Sequence, residues 1–494
     1  MIIVTTDKEK YFYDIHSLVK SFYPEEDVLV FVKDSINIQK DANIIFSIDL
    51  VLGWDEGYIK ATFFENGSKT NSSLMNCIKE SEASSADMTD SPKNVLKRLL
   101  YKMLSKKTGK TLPWGTLTGI RPVKIAMHRL TCLETDDQIN DYMDKTYLCS
   151  EEKTKLSIEI AHREKKLLEG TTDGNGYSLY VNIPFCPTRC AYCSFMSSPI
   201  GLWKDKVDEY LDCIKKEIDE TAPFFKGKRL DSIYIGGGTP TTLEPYQLEK
   251  LIAWIVEAYD ISFLREFTVE SGRPDSITIE KLKVMKKGGV TRISVNPQTM
   301  RDRTLELIGR HHSVQDTIDA FCMAREAGFD HINMDIILGL PGEELEDVKY
   351  TIGEIQKLEP DELTVHSLAI KRASRLYDYV AENGLAGMDT TSYMMKTAEN
   401  GARLMGLFPY YLYRQKNISG NFENTGYGKA DKMCLYNIIT MEETQSILAL
   451  GSGSVSKRVF AGNRIERKGN PKDVKLYMEQ TSADYGTMSK FFRE

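Results

Sequence analysis

Residues 180–195 read YVNIPFCPTRCAYCSF and place three cysteines, Cys186, Cys190 and Cys193, within eight positions. The apolar run YSLYVNI at residues 177–183 leads into this stretch and is typical of a buried β-strand. The three thiols are therefore predicted to lie in a loop at the C-terminal end of that strand. The chain has nine cysteines in 494 residues, and the other six are scattered, so this cluster is its most informative feature.

Three closely spaced thiolates favour a soft metal centre. A structural zinc site would need a fourth protein ligand, and Phe195, rather than a His or a Cys, stands two residues after Cys193. A 4Fe–4S cluster held by three cysteines would instead leave one iron open for another ligand. Structural zinc, redox-active thiols and incidental thiols are the alternatives to such a cluster.

A glycine-rich stretch, IGGGTPT at residues 235–241, follows the next predicted strand. Glycines at this point would let backbone N–H and C=O groups approach a small charged ligand without a Cβ in the way. A tight turn from strand to helix would also use glycine, so the stretch alone is only suggestive. Its position one βα unit after the cysteines favours ligand binding.

Strands and helices alternate along residues 177–368. The predicted strands are YSLYVNI, SIYIGG, EFTVES, RISVNP, HINMDIILGL and ELTVHSL, and the helices between them are Val207–Thr221, Glu244–Tyr259, Thr278–Lys287, Val314–Ala327 and Glu343–Leu358. Such alternation predicts parallel βαβ units. Six strands are too few for a closed eight-fold barrel, so we expect an α/β fold with a partial (β/α)6 barrel whose active face lies at the C-terminal strand ends.

The chain is expected to form three domains: an N-terminal α+β domain of unknown role at residues 1–165, the barrel at 166–388 and a C-terminal cap at 389–494. In the first, residues 28–32, 44–52 and 58–64 read as strands, 92–105 and 124–133 as helices, and the Ser-rich residues 66–91 as a loop. The segment LPWGTLTGIRP at 112–122 reads as a domain-joining turn, with a ligand loop using Arg121 as the alternative.

Hydrophobic residues make up 41% and charged residues 27% of the chain, and the net charge is −7. This balance is typical of a soluble globular protein and disfavours a general nucleic-acid binder, which would show a basic footprint. No apolar run approaches the ~18 residues of a membrane span, and MIIVTTDKEK lacks the basic region of a signal peptide. We therefore expect a cytoplasmic protein without a membrane span.

The motifs CPTRCAYC and GGGTPT together resemble the radical S-adenosylmethionine (SAM) superfamily. With RISVNPQ, IGRHHS and NMDIILGLPGE in the same order, the chain resembles the oxygen-independent coproporphyrinogen III oxidase (coproporphyrinogen dehydrogenase) family, well over residues 177–368 and in patches to 456. Residues 1–165 resemble the N-terminal extension of one branch, with LPWGTLTGIRP as its sign. The resemblance implies a 4Fe–4S cluster, SAM, and reductive cleavage of SAM to a 5′-deoxyadenosyl radical.

The resemblance also implies roles for particular residues. Cys186, Cys190 and Cys193 would be the cluster ligands. The cofactor-binding positions would be Tyr180, Gly237, Gly238, Thr239, Glu270, Gln298, Arg310, Asp335, Leu368 and Val455, and Tyr180, Glu270 and Arg310 would also be catalytic. Surface or capping roles are the alternative for Glu270 and Asp335, but both lie in apolar strands, where an unpaired charge is costly. His311, His312, His366 and the scattered cysteines, including Cys434, are open to structural roles.

The implied reaction is anaerobic oxidative decarboxylation of the propionates of coproporphyrinogen III to vinyl groups, which gives protoporphyrinogen IX in heme biosynthesis. Its partners would be a tetrapyrrole substrate and a reduced flavodoxin- or ferredoxin-type electron donor. Lys371, Arg372, Arg375 and Arg414 are candidates by position for the propionates.

The chain departs from the best-known oxidases at Asn182, where they carry His, and at Phe195, where they carry a fourth Cys. The alternative is therefore a heme-binding or heme-delivery protein of the same family. The heme-chaperone branch also has an aromatic residue at the Phe195 position, but its His-Asn-x-x-Tyr-Trp motif is replaced here by YNIITM at residues 436–441. A radical RNA-modifying enzyme is a third hypothesis, which the acidic balance disfavours.

Overall fold

The computed structural model describes residues 1–32, 45–53, 58–65, 68–76, 91–119, 121–171, 174–195, 197–371, 373–377, 388, 390–415, 421–460, 464–483 and 490–492. The chain divides into two compact units. The first comprises Met1–His162 and Arg414–Phe422, and the second comprises Arg163–Tyr413 and Glu423–Glu494. Among the described residues, no helix has the length and apolarity that a membrane crossing requires.

The first unit contains a five-stranded sheet in the order β2-β1-β3-β4-β5. Its strands are β1 (Ile2–Thr6), β2 (Val28–Val32), β3 (Phe46–Gly53), β4 (Tyr58–Glu65) and β5 (Ser68–Asn76). Its helices are α1 (Phe12–Phe22), α2 (Pro92–Thr108), α3 (Val123–Thr131), α4 (Asp136–Tyr147) and most of α5 (Glu151–Leu167). Apolar side chains of α1 recur at helical spacing and are buried against the sheet together with those of α2, which builds one core.

One prediction for this unit was wrong. The Ser-rich stretch expected to be a loop contains β5, which pairs antiparallel with β4 from Ser68 opposite Glu65 to Asn76 opposite Tyr58. β5 lies at the edge of the sheet, where polar side chains are tolerated because only one side of the strand must pair. Residues 66–67 and 77–90 of the expected loop lie outside the described residues.

The second unit is built on six parallel strands in the order β13-β12-β11-β10-β9-β6. They are β6 (Gly176–Ile183), β9 (Arg229–Gly237), β10 (Glu266–Val269), β11 (Arg292–Ser294), β12 (Ile332–Leu338) and β13 (Glu362–Ser367), and a short pair, β7 (Phe185–Cys186) and β8 (Ser198–Pro199), interrupts the sequence order. Each coincides with a predicted strand, and the partial (β/α)6 barrel expected from the alternation is confirmed.

Helices connect these strands, as the parallel arrangement requires. They are α6 (Val207–Phe225), α7 (Pro245–Ala258), α8 (Ile279–Lys287), α9 (Asp302–Leu307), α10 (Val314–Glu326) and α11 (Leu345–Leu358). The five predicted helices match within four residues at each end, and a sixth helix, α9, lies between β11 and α10.

Strands from the C-terminal region extend the same sheet at both of its edges, beside β13 and beside β6. The remaining elements are α12 (Ser392–Leu404), β14 (Phe408–Tyr413), β15 (Asn424–Gly428), α13 (Leu435–Glu442), β16 (Ser446–Leu450), β17 (Val455–Val459), β18 (Ile465–Gly469) and α14 (Val474–Ala483). β15 pairs antiparallel with β13, and β16 pairs parallel with β6. The domain boundary between the barrel and the C-terminal cap at residue 388 stays a prediction. In the structure, the strands of the C-terminal region share one sheet and one compact unit with the barrel.

The N-terminal ends of the barrel strands enclose a buried polar network centred on Glu362. Its carboxylate pairs with the Arg292 guanidinium and, at 3.0 Å, with His331 Nε2, and it accepts a 2.6 Å hydrogen bond from Tyr410 OH. The backbone N–H of Cys434 donates to the same carboxylate at 3.0 Å. Because Arg292 and Glu362 are both almost fully buried, each charge depends on the other for compensation.

A second carboxylate, Glu266 at the start of β10, holds the first turn of α13. It accepts hydrogen bonds from the backbone N–H groups of Leu435 at 2.7 Å and Tyr436 at 3.4 Å, and from the Cys434 thiol at 3.3 Å. Helix N-termini leave such N–H groups without partners and favour negative charge. Glu266 therefore fixes the end of α13 that contributes Tyr436 to the barrel interior.

We expect Arg292→Met to lower the free energy of unfolding by about 3–5 kcal/mol, because it leaves a buried carboxylate without its main counter-charge. The matched control is Lys287→Met, which removes an ion pair with Glu249 whose side chains are 80% and 56% exposed. That change is expected to cost at most about 1 kcal/mol. Urea unfolding followed by circular dichroism measures both, and equal losses would contradict the buried-pair account.

Stability should also fall in acid through Glu362. Burial alone would raise its pKa, but Arg292, His331 and the Tyr410 hydroxyl outweigh burial and lower the pKa to about 2. A carboxyl whose pKa is lower folded than unfolded stabilises the fold above its ordinary pKa and loses that contribution as the pH falls towards 2. The urea midpoint should therefore drop from about pH 5 downwards, and Glu362→Gln, although less stable at neutral pH, should show a shallower drop.

Candidate functional site

The cysteine loop and the glycine loop are tied together by the backbone. Beyond the end of the β6–β9 ladder, Gly238 N–H donates to Ile183 C=O at 2.8 Å, and Thr239 N–H donates to Phe185 C=O at 2.7 Å. β7, which carries Cys186, also pairs with β8. Two motifs that lie about fifty residues apart in the sequence thus form one rim at the C-terminal ends of adjacent strands.

Glycine is required in this rim for close approach. Gly237 has φ +110°, and a Cβ there would lie 2.1 Å from Asn182 Oδ1. A Cβ on Gly238 would lie 2.6 Å from Phe185 O and 3.0 Å from Cys186 Sγ. These glycines therefore allow the second strand's loop to lie directly against the cysteine loop, which is a packing requirement in addition to any contact with a ligand.

The cysteine sulfurs have polar neighbours. Thr239 Oγ1 donates to Cys186 Sγ at 3.4 Å, and Arg273 Nη1 donates to Cys190 Sγ at 3.7 Å. Burial raises the pKa of the Cys186 and Cys193 thiols, so a metal centre that takes their thiolates must release protons on binding. Among the described residues, no three His, Cys, Asp or Glu side chains converge on a single metal ion.

Arg310 is buried beside the same loop rather than exposed on the surface. Its Nε donates to Tyr192 OH at 3.3 Å, and its Nη1 donates to the backbone carbonyls of Gly272 and Asn296. Burial acts to lower the pKa of Arg310, but Tyr192 and Cys190 outweigh it and raise the pKa. The group therefore holds a fixed positive charge next to the sulfurs.

Two predicted carboxylates face the barrel interior in different ionisation states. Glu270 directly follows β10 and accepts a hydrogen bond from Tyr234 OH, and burial raises its pKa to about 7. Asp335 in β12 accepts from Asn333 Nδ2 at 2.7 Å. Burial acts to raise the pKa of Asp335, but the nearby His366 and Asn333 outweigh it and lower the pKa. Near neutral pH, Glu270 can therefore hold a proton while Asp335 stays ionised.

Tyr180 belongs to a stack of three tyrosine rings inside the barrel. Its ring centroid lies 6.2 Å from that of Tyr234 and 6.0 Å from that of Tyr436, and the latter two lie 4.5 Å apart. Tyr180 OH also donates to Asn182 Oδ1 at 3.0 Å. The sequence predicted Tyr180 but missed Tyr234, which the alternation of β9 could have indicated, and Tyr436, which carries no local signal.

The remaining predicted positions differ in environment. Gln298 lies four residues beyond β11, with φ +68° and backbone hydrogen bonds to β12 through Asp335 O and Ile337 N, both 2.9 Å. Leu368 is buried and donates its N–H to Leu338 O at 3.0 Å. Val455 begins β17 with half of its side chain exposed, so its assignment to the cofactor pocket stays a prediction.

Several buried polar atoms at this end of the barrel are left for a ligand. Within the described residues, no hydrogen-bond partner is found for Ser271 Oγ, Ser294 Oγ, Asn296 Oδ1 or Gln298 Oε1. All four follow or end β10 or β11, and buried polar atoms are normally paired. A small ligand with amino, carboxylate and hydroxyl groups would satisfy them, while the three thiols suit a soft metal centre.

The cations predicted for propionates are not all in one place. Lys371 is half-buried and interacts electrostatically with Cys193. Arg375 donates a hydrogen bond to the backbone carbonyl of Arg189 in the cysteine loop. Arg414 belongs to the first unit, where it is buried and donates to Leu117 O at 2.5 Å and to Asn421. Arg372 lies outside the described residues.

Comparison with known proteins agrees with this geometry. The family model described as the Radical SAM superfamily matches residues 180–355. The chain is 39% identical over 409 residues to the oxygen-independent coproporphyrinogen-III oxidase-like protein HemZ of Bacillus subtilis, an alignment that covers 80% of this chain and 81% of that protein. This alignment is too long to fit within residues 166–494, so it includes part of the N-terminal region.

Two further relatives match over shorter stretches. Identity to the heme chaperone HemW of Bacillus subtilis is 38% over 209 residues, which is 42% of this chain and 54% of that one. Identity to the oxygen-independent coproporphyrinogen III oxidase of Escherichia coli is 32% over 192 residues, which is 39% of this chain and 42% of that one.

Members of the radical SAM superfamily bind a 4Fe–4S cluster and SAM, and the three thiols and the unpartnered polar atoms fit these two groups. Cys186, Cys190 and Cys193 would hold the cluster, and the ends of β9, β10 and β11 would hold SAM. The match to HemZ of Bacillus subtilis, which covers 81% of that protein, shows the family within the superfamily. The chain belongs to the radical SAM superfamily and, within it, to the family of oxygen-independent coproporphyrinogen III oxidase-like proteins.

Proposed function

We propose that this protein is a radical SAM oxidoreductase that oxidatively decarboxylates propionate side chains of coproporphyrinogen III to vinyl groups. The observation that carries the proposal is the presence of two cations beside the cysteine loop, Lys371 and Arg375, which lie four and eight residues beyond β13. A substrate with several carboxylates needs such partners close to the place where a radical would be generated. The Escherichia coli relative named as this oxidase supports the choice of substrate.

When bound, the cluster and SAM would supply the radical chemistry that removes a β-hydrogen from a propionate, with loss of carbon dioxide and transfer of one electron to an acceptor. The chain's own groups would bind and orient the substrate and would exclude water from the site. Arg310 keeps a positive charge beside the sulfurs, and Glu270, held by Tyr234, presents a carboxyl whose raised pKa lets it exchange a proton near neutral pH. The rings of Tyr180, Tyr234 and Tyr436 stack on one another and would help to keep water out of the interior.

The partners and the compartment belong to the same proposal. Reduction of the cluster calls for a one-electron donor of the flavodoxin or ferredoxin type, and we place the reaction in the cytoplasm. A second candidate function is heme binding or heme delivery. It is favoured by the match to the heme chaperone of Bacillus subtilis and by Phe195, whose aromatic side chain is 64% exposed beside the cysteine loop.

The function is tested with anaerobically reconstituted protein, SAM, a reductant and coproporphyrinogen III, with products followed by mass spectrometry. The proposal predicts 5′-deoxyadenosine that depends on the porphyrinogen, together with protoporphyrinogen IX. Stoichiometric heme binding without decarboxylated product would favour the second candidate and overturn the first. The triple variant Cys186→Ala, Cys190→Ala, Cys193→Ala should abolish both products, whereas Cys322→Ala, at an exposed position on α10, should leave them unchanged.

Lys371 and Arg375 should act on substrate binding rather than on SAM. Lys371→Met and Arg375→Met are each expected to raise the KM for coproporphyrinogen III about tenfold, the effect of losing one charge-assisted contact to a carboxylate. The affinity for SAM should not change. Lys349→Met, at an exposed lysine of α11 paired with Glu346, is the control. An unchanged KM in both site variants would remove the support that these cations give to the proposal.

A further inference from the structure

Arg273 is a buried arginine that neither the sequence analysis nor the proposed reaction uses. It lies four residues beyond the end of β10, and its side chain is 3% exposed. Its Nε donates to Asp275 Oδ1 at 3.0 Å and its Nη2 donates to Asp275 Oδ2 at 2.6 Å. This two-point contact fixes the plane of the guanidinium, because the fork of an arginine matches the geometry of a carboxylate.

The remaining nitrogen of Arg273 points into the cysteine loop. Nη1 donates at 3.0 Å to both the backbone carbonyl and the hydroxyl of Thr188, and lies 3.7 Å from Cys190 Sγ. Thr188 stands between Cys186 and Cys190 in the sequence. Arg273 therefore connects the loop that follows β10 with the middle of the cysteine loop, and it places a positive hydrogen-bond donor on one particular sulfur.

The three sulfurs differ in their surroundings. Cys190 accepts a hydrogen bond from the Arg273 guanidinium and interacts electrostatically with Arg310, whereas Cys186 accepts from hydroxyl groups, those of Thr239 and Ser197. Arg273 and Arg310 differ in their anchors, because Arg273 is held by a carboxylate and Arg310 by backbone carbonyls and Tyr192. Among the described residues, the hydrogen bond from a cation to a cysteine sulfur is therefore made at Cys190.

We propose that Arg273 is a positioning residue that holds the cysteine loop in its binding conformation and raises the reduction potential of the cluster through Cys190. A hydrogen bond from a cation to a thiolate ligand stabilises the state with more negative charge, which is the reduced one. Asp275 keeps the guanidinium in place and offsets part of its charge. The inference rests on the cluster assignment alone and is independent of the porphyrin substrate.

The test compares Arg273→Met and Arg273→Lys with Arg265→Met after anaerobic reconstitution. Arg265 is the matched control because it is exposed at the opposite end of β10, where it binds the carbonyls of Leu167 and Glu169. Iron and sulfide content reports on the loop, and a redox titration followed by electron paramagnetic resonance (EPR) reports on the potential. Neither measurement needs SAM or a porphyrin, so a failure here is distinguishable from a failure of the proposed function.

In Arg273→Met we expect a lower cluster content and, in the loaded fraction, a reduced-to-oxidised ratio that falls about tenfold at a fixed potential, which equals 59 mV for one electron. Arg273→Lys should fall between this variant and the wild type, because lysine keeps the charge but lacks the fork. Arg265→Met should match the wild type. Full cluster content with an unchanged potential in Arg273→Met would overturn the proposal. If that variant binds no cluster, an unchanged potential in Arg273→Lys would overturn the claim about the potential.

Discussion

The parallel pairing of β6 with β9 is the constraint on which the rest of the site depends. Ile183 lies opposite Gly237 in this register, and the hydrogen bonds of Gly238 and Thr239 to Ile183 and Phe185 continue the ladder beyond the strands. A shift by one residue would move the glycines away from the cysteines and turn the inward-facing tyrosines outward. The site is therefore an extension of the sheet's hydrogen bonding rather than a separate loop structure.

The two ends of the barrel differ in the hydrogen bonding of particular buried polar side chains. At the N-terminal ends of the strands, Glu266 and Glu362 each accept several hydrogen bonds, including ones from backbone N–H groups at the start of α13. At the C-terminal ends, Asn296 and Gln298 keep polar atoms without partners among the described residues. The paired carboxylates contribute stability, and the unpaired amide oxygens are available to a ligand, which agrees with the placement of active sites in barrels of parallel strands.

Features with a local signal could be read from the sequence. Alternating strands and helices gave the barrel, and the spacing of the cysteines gave the predicted metal ligands. Arg273 and Tyr436 were missed because their importance comes from partners distant in the sequence, Cys190 for the first and Tyr180 for the second. β5 was missed because an edge strand needs no apolar alternation. Arg414, chosen by its position in the sequence, belongs to the other unit, which no local pattern could indicate.

Asn182, which stands where the best-known oxidases carry histidine, makes specific contacts in the structure. Asn182 Nδ2 donates to Ser452 O at 2.6 Å, and its Oδ1 accepts from Tyr180 OH. The side chain also lies against Gly237, so Asn182 links the rim to the residues that follow β16. Asn182 therefore holds the rim in place at the position where the best-known oxidases carry histidine. The reconstituted, reduced protein should show a cluster EPR signal that changes when SAM is added, as expected if SAM binds the open iron. A signal indifferent to SAM in fully loaded protein would contradict the account.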